Sequence, residues 1–448
     1  MKTEKGAKSG FSSRLGFVLA AAGSAVGLGN LWRFPYLAAQ YGGGMFLLVY
    51  IILAVTFGFA LMITEVAIGR KTRKSCIMAY TELSKKFSFL GYFAALVPII
   101  IFPYYCVIGG WVVKFLGVYI TGQGAAATVD KYFETFTAQI GEPIVCLAIF
   151  LFLTALVVLL GVQKGIEKIS KILMPLLILM SLGMAIYSLT IPGAMDGFLY
   201  YIKPEIENFS LKTVVAAMGQ LFYSMSLAMG IMVTYGSYMK KEDNLEKSVR
   251  NIELFDTGIA FLSGMMIVPA VFAFTDGDPE KMKGATLMFV TMPKVFNLMP
   301  AGNIIGFIFF LLVFFAALTS AISLMETIVS IISDKFGWNR KIICVGVMIA
   351  SFALAIPSTL GNGIWSGFKI LGMDILSFFD FISNNIMMPI VALLTAILIG
   401  FIVKPKYVSD EVESSGKFKS KKMYNIVIKF VVPICMAVIL VSSIVGFV

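Results

Sequence analysis

One apolar segment, residues 15–50, contains a stretch that an unbroken membrane helix would not tolerate. The stretch combines three glycines, a side-chain amide, a full charge and a proline: Gly23, Gly27, Gly29, Asn30, Arg33 and Pro35. In hydrocarbon each unsatisfied backbone group costs several kcal/mol, and a charge at membrane depth costs at least ~2.5–3.5 kcal/mol. Because such chemistry persists only where broken backbone lines a cavity, the sequence predicts a helix that is interrupted at a binding site.

The composition indicates a chain that lies mostly within a membrane. Of its 448 residues, 59% are hydrophobic and only 14% are charged, which is far from the balance of soluble domains. At ~20 residues per crossing, the sequence predicts an all-α polytopic membrane protein with about 11 transmembrane helices in a single domain, residues 1–448. The predicted spans are 13–38, 43–69, 88–120, 143–161, 166–190, 211–238, 250–274, 302–332, 341–357, 375–403 and 424–447.

The basic residues predict the orientation of the chain. With the N-terminus inside, the segments predicted to be cytoplasmic hold 26 of the 36 Lys and Arg residues, and the external loops hold 7. Positive residues favour the cytoplasmic side, so residues 1–12 are predicted to form a cytoplasmic tail and residues 404–422 a charged cytoplasmic loop. The C-terminus is predicted to lie outside, and the expected location is the cytoplasmic (inner) membrane of a prokaryote.

The net charge of +11 follows from this topology. The charge is dispersed over short loops that would contact anionic lipid, so the sequence predicts membrane lipid as a partner and no nucleic acid. The five cysteines show no paired spacing and the chain has no histidine. These features argue against a metal cluster of the cysteine or histidine type, and they exclude a histidine proton relay.

A second interruption repeats the first one five spans later. Residues 224–230, Ser-Met-Ser-Leu-Ala-Met-Gly, lie within the sixth predicted span. Interrupted segments at matching positions of two halves are the best sequence pointer to a transporter site. The pattern therefore predicts a five-plus-five inverted repeat with discontinuous helices 1 and 6. Its parts are residues 13–190 and 211–403, followed by an eleventh helix at 424–447.

Several motifs resemble those of the neurotransmitter:sodium symporter family. They are GNLWRFPY at 29–36 followed by glycines at 42–44, EVAIGR at 65–70, GQLFYS at 219–224, AALTS at 316–320, and Asp380. The resemblance covers the first ten helices, and eleven spans resemble most bacterial members. It implies the LeuT fold and a transporter, not an enzyme, that moves amino acids together with sodium by alternating access.

Oxygen-bearing side chains within apolar helices suit a hard cation, which prefers oxygen ligands. The resemblance implies two sodium sites. The first consists of the Ala25 carbonyl, Asn30, Ser224 and Asp256, and the substrate carboxylate completes it. The second consists of the carbonyls of Gly23, Val26 and Ala316 with the hydroxyls of Thr319 and Ser320. From the residues alone two alternatives stay open: both hydroxyls bond carbonyls of their own helix, and Asp256 is an interfacial charge.

The resemblance also implies that the substrate is a zwitterionic amino acid. Its carboxylate would face the amides of Leu28 and Gly29 at the start of a half-helix. The predicted substrate-binding residues are Ala25, Leu28, Gly29, Ile101, Tyr105, Tyr223, Ser224, Ser226, Met229, Ser320 and Leu324. The side-chain wall is apolar and aromatic, which favours neutral, hydrophobic or aromatic L-amino acids. Ser24 stands where biogenic-amine members carry an acidic residue, which argues against amines.

Two gates are implied by the same resemblance. The gate residues are Arg33 with Asp380 on the outside, and Lys8 with Asp334 and Tyr238 on the inside. The inner gate departs from the family pattern, which has Arg at the position of Lys8 and Trp at that of Phe11. Lys lacks the bidentate fork of Arg, so unpaired cytoplasmic charges remain the alternative there.

Three further expectations complete the interpretation. Gly165 and Pro175 resemble a motif at which helix 5 unwinds in bacterial members, which would open a path for water and sodium. Glu65 and Asp256 are the candidate carboxylates that substitute for the chloride of animal members, so chloride independence is expected. The alternative function is a non-transporting amino-acid sensor on the same scaffold, and the sequence leaves the particular amino acid and the oligomeric state open.

Overall fold

The computed structural model describes residues 10–275 and 284–446, and the regular elements within them are helices. We number the spans in chain order and call the halves of broken spans a and b. The spans are 1a Arg14–Ala25, 1b Gly29–Gln40, 2 Gly44–Thr72, 3 Lys85–Ile120, 4 Gly141–Leu159, 5 Val162–Leu189, 6a Leu211–Ser224, 6b Ile231–Tyr238, 7 Leu245–Thr275, 8 Gly302–Phe336, 9 Arg340–Leu360, 10 Ile375–Ile402 and 11 Lys421–Val445.

The predicted all-α membrane fold is confirmed. Within the described residues, nine continuous helices are long and apolar enough to cross a membrane, and spans 1a and 1b form a tenth crossing that bends by 54°. The sixth predicted span is present as two helices, separated by residues 225–230. Spans 1 and 6 are therefore discontinuous, at the two places where the sequence predicted interruptions.

The break in span 1 follows from its local sequence. Span 1a ends at Ala25, and Val26 is already extended, with φ −74° and ψ 100°. The next helical residues, Gly29–Arg33, form a wide π-helical turn. Pro35 then stands in the first turn of the regular helix that follows. A proline is tolerated there because the first amides of a helix have no intrahelical partner.

The break in span 6 contains three residues in the left-handed region. Their φ angles are 53° at Ser226, 61° at Ala228 and 72° at Gly230. A non-glycine residue in that region is strained, so the surroundings must hold the backbone in place. Glu65 of span 2 does so, because its Oε1 accepts the amide hydrogen of Ala228 at 2.7 Å.

Spans 2 and 6b cross at very close range through a reciprocal pair of glycines. A Cβ atom added to Gly69 would lie 1.8 Å from the carbonyl oxygen of Val233, and one added to Gly236 would lie 2.4 Å from that of Val66. Small residues permit such backbone approach in membrane helices. This contact fixes span 6b, and with it the break in span 6, against span 2.

The cytoplasmic loop predicted at residues 404–422 is folded. It contains the helix Lys406–Glu413. Arg70, which is fully buried at the end of span 2, pairs with Glu411 at 2.7 Å and donates to the carbonyl of Asp243 at 2.8 Å. Through Arg70 the loop joins the cytoplasmic ends of span 2 and of the connection between spans 6 and 7.

The glycine crossing generates a stability prediction. We expect Gly69→Ala to lower the stability of the protein by about 1–3 kcal/mol, because the added methyl group overlaps the backbone of span 6b. The control is Gly183→Ala in span 5, where nothing lies within 4 Å of the added Cβ. Thermal melting of both variants in one detergent measures the difference, and equal melting temperatures would contradict the proposed contact.

Candidate functional site

A cluster of polar side chains is buried where span 7 passes the two breaks. Asn30 donates through Nδ2 to Asp256 Oδ1 at 2.8 Å. The hydroxyl of Ser224 lies 2.7 Å from Asp256 Oδ1 and 3.2 Å from Asn30 Oδ1. Asn30 and Asp256 are fully buried and Ser224 is 3% exposed. The structure thus brings together three of the four residues predicted for the first sodium site, and the fourth, Ala25, lines the adjacent pocket.

Tyr50 belongs to the same cluster, although the sequence analysis did not select it. Its hydroxyl donates to Asp256 Oδ2 at 3.2 Å and lies 3.5 Å from the hydroxyl of Ser224. In the sequence Tyr50 is one aromatic residue in a long apolar run, with no neighbouring polar residue to mark it. Its role in holding the Asp256 carboxylate follows only from the packing of span 2 against span 7.

A second group of oxygens lies where span 8 crosses span 1a. The hydroxyl of Ser320 lies 3.5 Å from the carbonyl oxygen of Gly23, 3.1 Å from that of Ser24 and 3.4 Å from that of Val26. Thr319 packs beside Gly23, within 3.3 Å of the position that a Cβ there would occupy.

The hydroxyl of Thr319 itself bonds within its own helix, to the carbonyls of Phe315 at 3.0 Å and Ala316 at 3.1 Å. The alternative raised from the sequence therefore describes Thr319 in this structure, whereas Ser320 reaches across to span 1. All five residues predicted for the second sodium site lie at this crossing.

A pocket with about 410 Å³ of empty space lies between the two breaks. All eleven predicted substrate-binding residues line it, together with three that were not predicted, Ser24, Gly27 and Ile231. The residues that line it include no Lys, Arg, Asp or Glu, which makes the wall suited to a neutral ligand. The hydroxyl of Tyr105 is buried in this region and makes no hydrogen bond with the described residues.

On the external side of this pocket, the expected ion pair between Arg33 and Asp380 is not formed. The guanidinium of Arg33 instead lies over the ring of Tyr223, 5.2 Å from its centroid. Asp380 Oδ1 accepts a hydrogen bond from Asn384 Nδ2 at 2.7 Å. The two residues predicted for the outer gate are therefore unpaired in this structure, and their pairing stays a prediction.

On the cytoplasmic side, the pairing of Lys8 with Asp334 lies outside the described residues. Asp334 accepts the backbone amide of Ser75 through Oδ2 at 2.7 Å. Tyr238, expected beside that pair, donates to Glu326 Oε1 at 2.7 Å. Glu326 is fully buried and forms a two-pronged pair with Arg340.

The pair of Glu326 with Arg340 was missed by the sequence analysis. Arg340 Nη1 lies 2.9 Å from Glu326 Oε1, and Arg340 Nη2 bonds Oε2. The two residues stand in different spans, 8 and 9, and Arg340 lies within a short basic segment that reads as an ordinary cytoplasmic loop. No spacing rule joins residues that a turn brings together in this way.

The start of the described chain packs against spans 5 and 6b. Phe11 is 1% exposed, and its ring meets those of Tyr235 and Tyr238 edge to face. Ser12 donates its backbone amide to Glu167 Oε2 at 2.7 Å. Since Glu167 stands in span 5, these contacts fasten the N-terminal segment to the helix that was expected to unwind.

That helix is wound in this structure. Gly165 lies in a π-helical turn, Val162–Glu167, and Pro175 lies inside the regular helix Lys168–Leu189. The proposal that the segment unwinds therefore concerns another arrangement of the chain and stays a prediction.

Comparison with known proteins gives a consistent result over the whole chain. The family model described as the sodium:neurotransmitter symporter family matches residues 8–139 and 130–448. A sodium-dependent transporter of Haemophilus influenzae is 34% identical over 99% of this chain and 100% of its own. The sodium-dependent transporter YhdH of Bacillus subtilis is 33% identical over 97% of each chain.

A solved structure is similar over nearly the same length. It is the crystal structure of MhsT in complex with L-phenylalanine, and it superposes with a TM-score of 0.88 at 36% identity. The alignment covers 98% of this chain and 100% of that one.

The contact of Glu65 with the break in span 6 gives a second prediction. Glu65→Leu would leave the buried amide of Ala228 without its acceptor, so we expect a loss of about 1–3 kcal/mol in stability. Glu65→Gln keeps an acceptor oxygen of the same reach and should retain most of it. Melting temperatures in detergent distinguish the two variants, and equal losses in both would show that the charge, not the acceptor, matters.

Proposed function

The chain belongs to the sodium:neurotransmitter symporter family, and from that premise we propose that it carries neutral, hydrophobic or aromatic L-amino acids. The family consists of sodium-coupled symporters, which are membrane transporters and not enzymes. The observation that carries the proposal is the pocket between the two helix breaks, because its lining is uncharged and largely apolar. The similar protein MhsT was solved with L-phenylalanine, which agrees with this substrate class.

The two ends of an amino acid would be recognised by backbone and hydroxyl groups. The carboxylate would face Leu28 and Gly29 at the start of span 1b, where the helix dipole and the free amides favour an anion. The buried and unpartnered hydroxyl of Tyr105 would donate to the same carboxylate. The amine would meet the carbonyls of Ala25 and Tyr223, which belong to the residues that line the pocket.

The oxygens around Asp256 fit a first sodium ion. Ser224 Oγ lies 3.2 Å from Asn30 Oδ1 and 2.7 Å from Asp256 Oδ1. Hard cations are bound by oxygen ligands of this kind. The Ala25 carbonyl and the substrate carboxylate would complete the set. Tyr50 would hold the second carboxylate oxygen and keep Asp256 in position.

The crossing of spans 1a and 8 fits a second sodium ion. Its oxygens come from the carbonyls of Gly23, Val26 and Ala316 and the hydroxyls of Thr319 and Ser320, which the structure brings together. For Thr319 to take part, its hydroxyl would turn away from its own helix. The binding of an ion here would fix span 1a against span 8.

The contacts on the two sides of the site indicate one stage of alternating access. Phe11 and Ser12 cover the cytoplasmic side, whereas Arg33 and Asp380 are unpaired on the outside. Closure would pair Arg33 with Asp380. Release would then require Ser12 to leave Glu167 and the segment between Gly165 and Pro175 to unwind, with Lys8, Asp334 and Tyr238 separating.

The same proposal includes chloride independence and the orientation of the chain in the membrane. Glu65 and Asp256 would supply the negative charge that chloride supplies in animal members, so transport would be chloride-independent. The chain would lie in the inner membrane of a prokaryote with its N-terminus inside, as its basic residues favour.

The first sodium site is tested by substitution. We expect Asn30→Ala and Asp256→Ala to lower sodium-stimulated amino-acid binding at least tenfold, because each removes an oxygen ligand that the chain cannot replace. The matched control is Asp130→Ala, which removes an exposed external carboxylate paired with Lys294 at 2.9 Å. Binding of radiolabelled amino acid to the purified protein in sodium and in potassium measures the effect, and normal sodium dependence in either site variant would refute the assignment.

The function as a whole is tested by uptake into proteoliposomes. A pool of radiolabelled neutral amino acids is offered with an inward sodium gradient, and with potassium as the control. We expect concentrative uptake that needs sodium and is unchanged when gluconate replaces chloride. Saturable binding without accumulation would instead support the sensor, and chloride stimulation would contradict the proposed role of Glu65 and Asp256.

A further inference from the structure

A second pocket, with about 530 Å³ of empty space, lies beyond the first. Tyr223 lines both pockets, so its ring separates them. The second pocket is also lined by Arg33 of span 1b and by Asn384 and Asn385 of span 10. It therefore places Arg33 and Asn384 on the wall of one cavity.

The amide nitrogen of Asn384 forms hydrogen bonds, whereas its amide oxygen forms none with the described residues. Its Nδ2 donates to Asp380 Oδ1 at 2.7 Å and to the hydroxyl of Tyr104 at 3.2 Å. Its Oδ1 is buried and has no hydrogen-bond partner among the described residues. Because an ionised carboxylate only accepts hydrogen bonds, the bond to Asp380 fixes which end of the amide is the donor. The idle end is therefore an acceptor.

Arg33 can supply the N–H donors that this acceptor lacks. Its guanidinium lies over the ring of Tyr223 and forms no ion pair with a carboxylate of the described residues. An arginine carries five N–H donors in a flat fork, which suits two acceptors held side by side. Asp380 and Asn384 stand four residues apart on span 10, so they share one face of the helix.

We propose that Asn384 is a positioning residue of the external gate, which orients Asp380 through its amide nitrogen and receives Arg33 on its amide oxygen when the gate closes. The bond between Asn384 and Asp380 persists in both states, since it uses only one carboxylate oxygen. Closure then pairs one arm of Arg33 with Asp380 and the other with the idle acceptor. The inference deepens the proposed function, on which it rests for what the gate encloses.

The location of Asn384 supports this role. It lies within a π-helical turn, Phe381–Met387, and such turns occur frequently at functional sites. The hydroxyl of Tyr104 in span 3, which lies 3.2 Å from the hydroxyl of Ser383, fixes the amide from the other side. Asn384 is thus held by two elements while its oxygen stays available.

The test measures closure through a thiol in the second pocket. Gly219 lines that pocket, and nothing lies within 4 Å of a Cβ added there, so Gly219→Cys is introduced in a Cys435→Ser background. A membrane-impermeant methanethiosulfonate labels this thiol in sodium, with and without a mixture of neutral amino acids. In the parent, the mixture should slow labelling by closing the gate.

We expect Asn384→Leu to make labelling in the presence of amino acids about tenfold faster, the size of a lost hydrogen bond to a charged group. Asn384→Gln keeps both an amide donor for Asp380 and an acceptor oxygen for Arg33, so it should retain more of the slow rate than Asn384→Leu. Asn385→Leu, which alters the same pocket at the next residue, should retain the slow rate. Equal rates in Asn384→Leu and Asn385→Leu would overturn the proposal.

A double-mutant cycle separates this inference from the proposed function. Because Asn384 acts through Arg33, Asn384→Leu should add nothing in an Arg33→Gln background, and additive effects would overturn the inference. If amino acids protect the parent thiol but Asn384→Leu behaves like Asn385→Leu, only the role of Asn384 fails. If no amino acid protects the parent thiol, the proposed substrate class fails, and the inference that rests on it fails with it.

Discussion

Backbone groups freed within a membrane must find partners inside the protein, and the two helix breaks satisfy this constraint through each other and through side chains of spans 2 and 8. The hydroxyl of Ser226, in the break of span 6, donates to the carbonyl of Ser24 in span 1 at 2.9 Å. Ser320 of span 8 approaches the same carbonyl at 3.1 Å. Glu65 accepts the amide of Ala228. Without these contacts each freed group would cost several kcal/mol in hydrocarbon. The breaks, the pocket and the site therefore depend on the same set of contacts.

The same constraint explains why oxygens gather at this point of the spans. A broken helix offers carbonyls on one side and amides on the other, which suit a cation and a carboxylate respectively. Asp256 supplies the charge at one end, held by Asn30, Ser224 and Tyr50. The pocket lining itself is uncharged, so under the proposed function backbone and hydroxyl groups would bind the two charged ends of a zwitterion.

Much of this site could be predicted because its residues lie in contiguous motifs. The glycine-rich break contributes Ala25, Leu28 and Gly29 to the pocket, the GQLFYS segment contributes Tyr223 and Ser224, and the AALTS segment contributes Ser320. All eleven predicted residues line the pocket. The fold class followed from hydrophobic run lengths and from the interruptions.

The contacts that could not be predicted join residues that are isolated in the sequence. Tyr50 reaches Asp256 only through helix packing, and Glu326 meets Arg340 across a turn between spans. Asn384 was passed over because an amide in an apolar helix carries no spacing signal of its own. Arg33 and Asp380 stand out in the sequence as charged residues within spans, but a sequence does not specify whether they pair in a given arrangement of the chain.

In the proposed function the substrate carboxylate completes the first sodium site, so that ion and amino acid bind as one unit. Equilibrium binding of radioactive sodium, measured with and without the amino acid that the proteoliposomes accumulate, tests it most directly. We expect the amino acid to raise the affinity for sodium, and sodium to raise the affinity for the amino acid by the same factor, as linkage requires. A sodium affinity that is unchanged by the amino acid would contradict it.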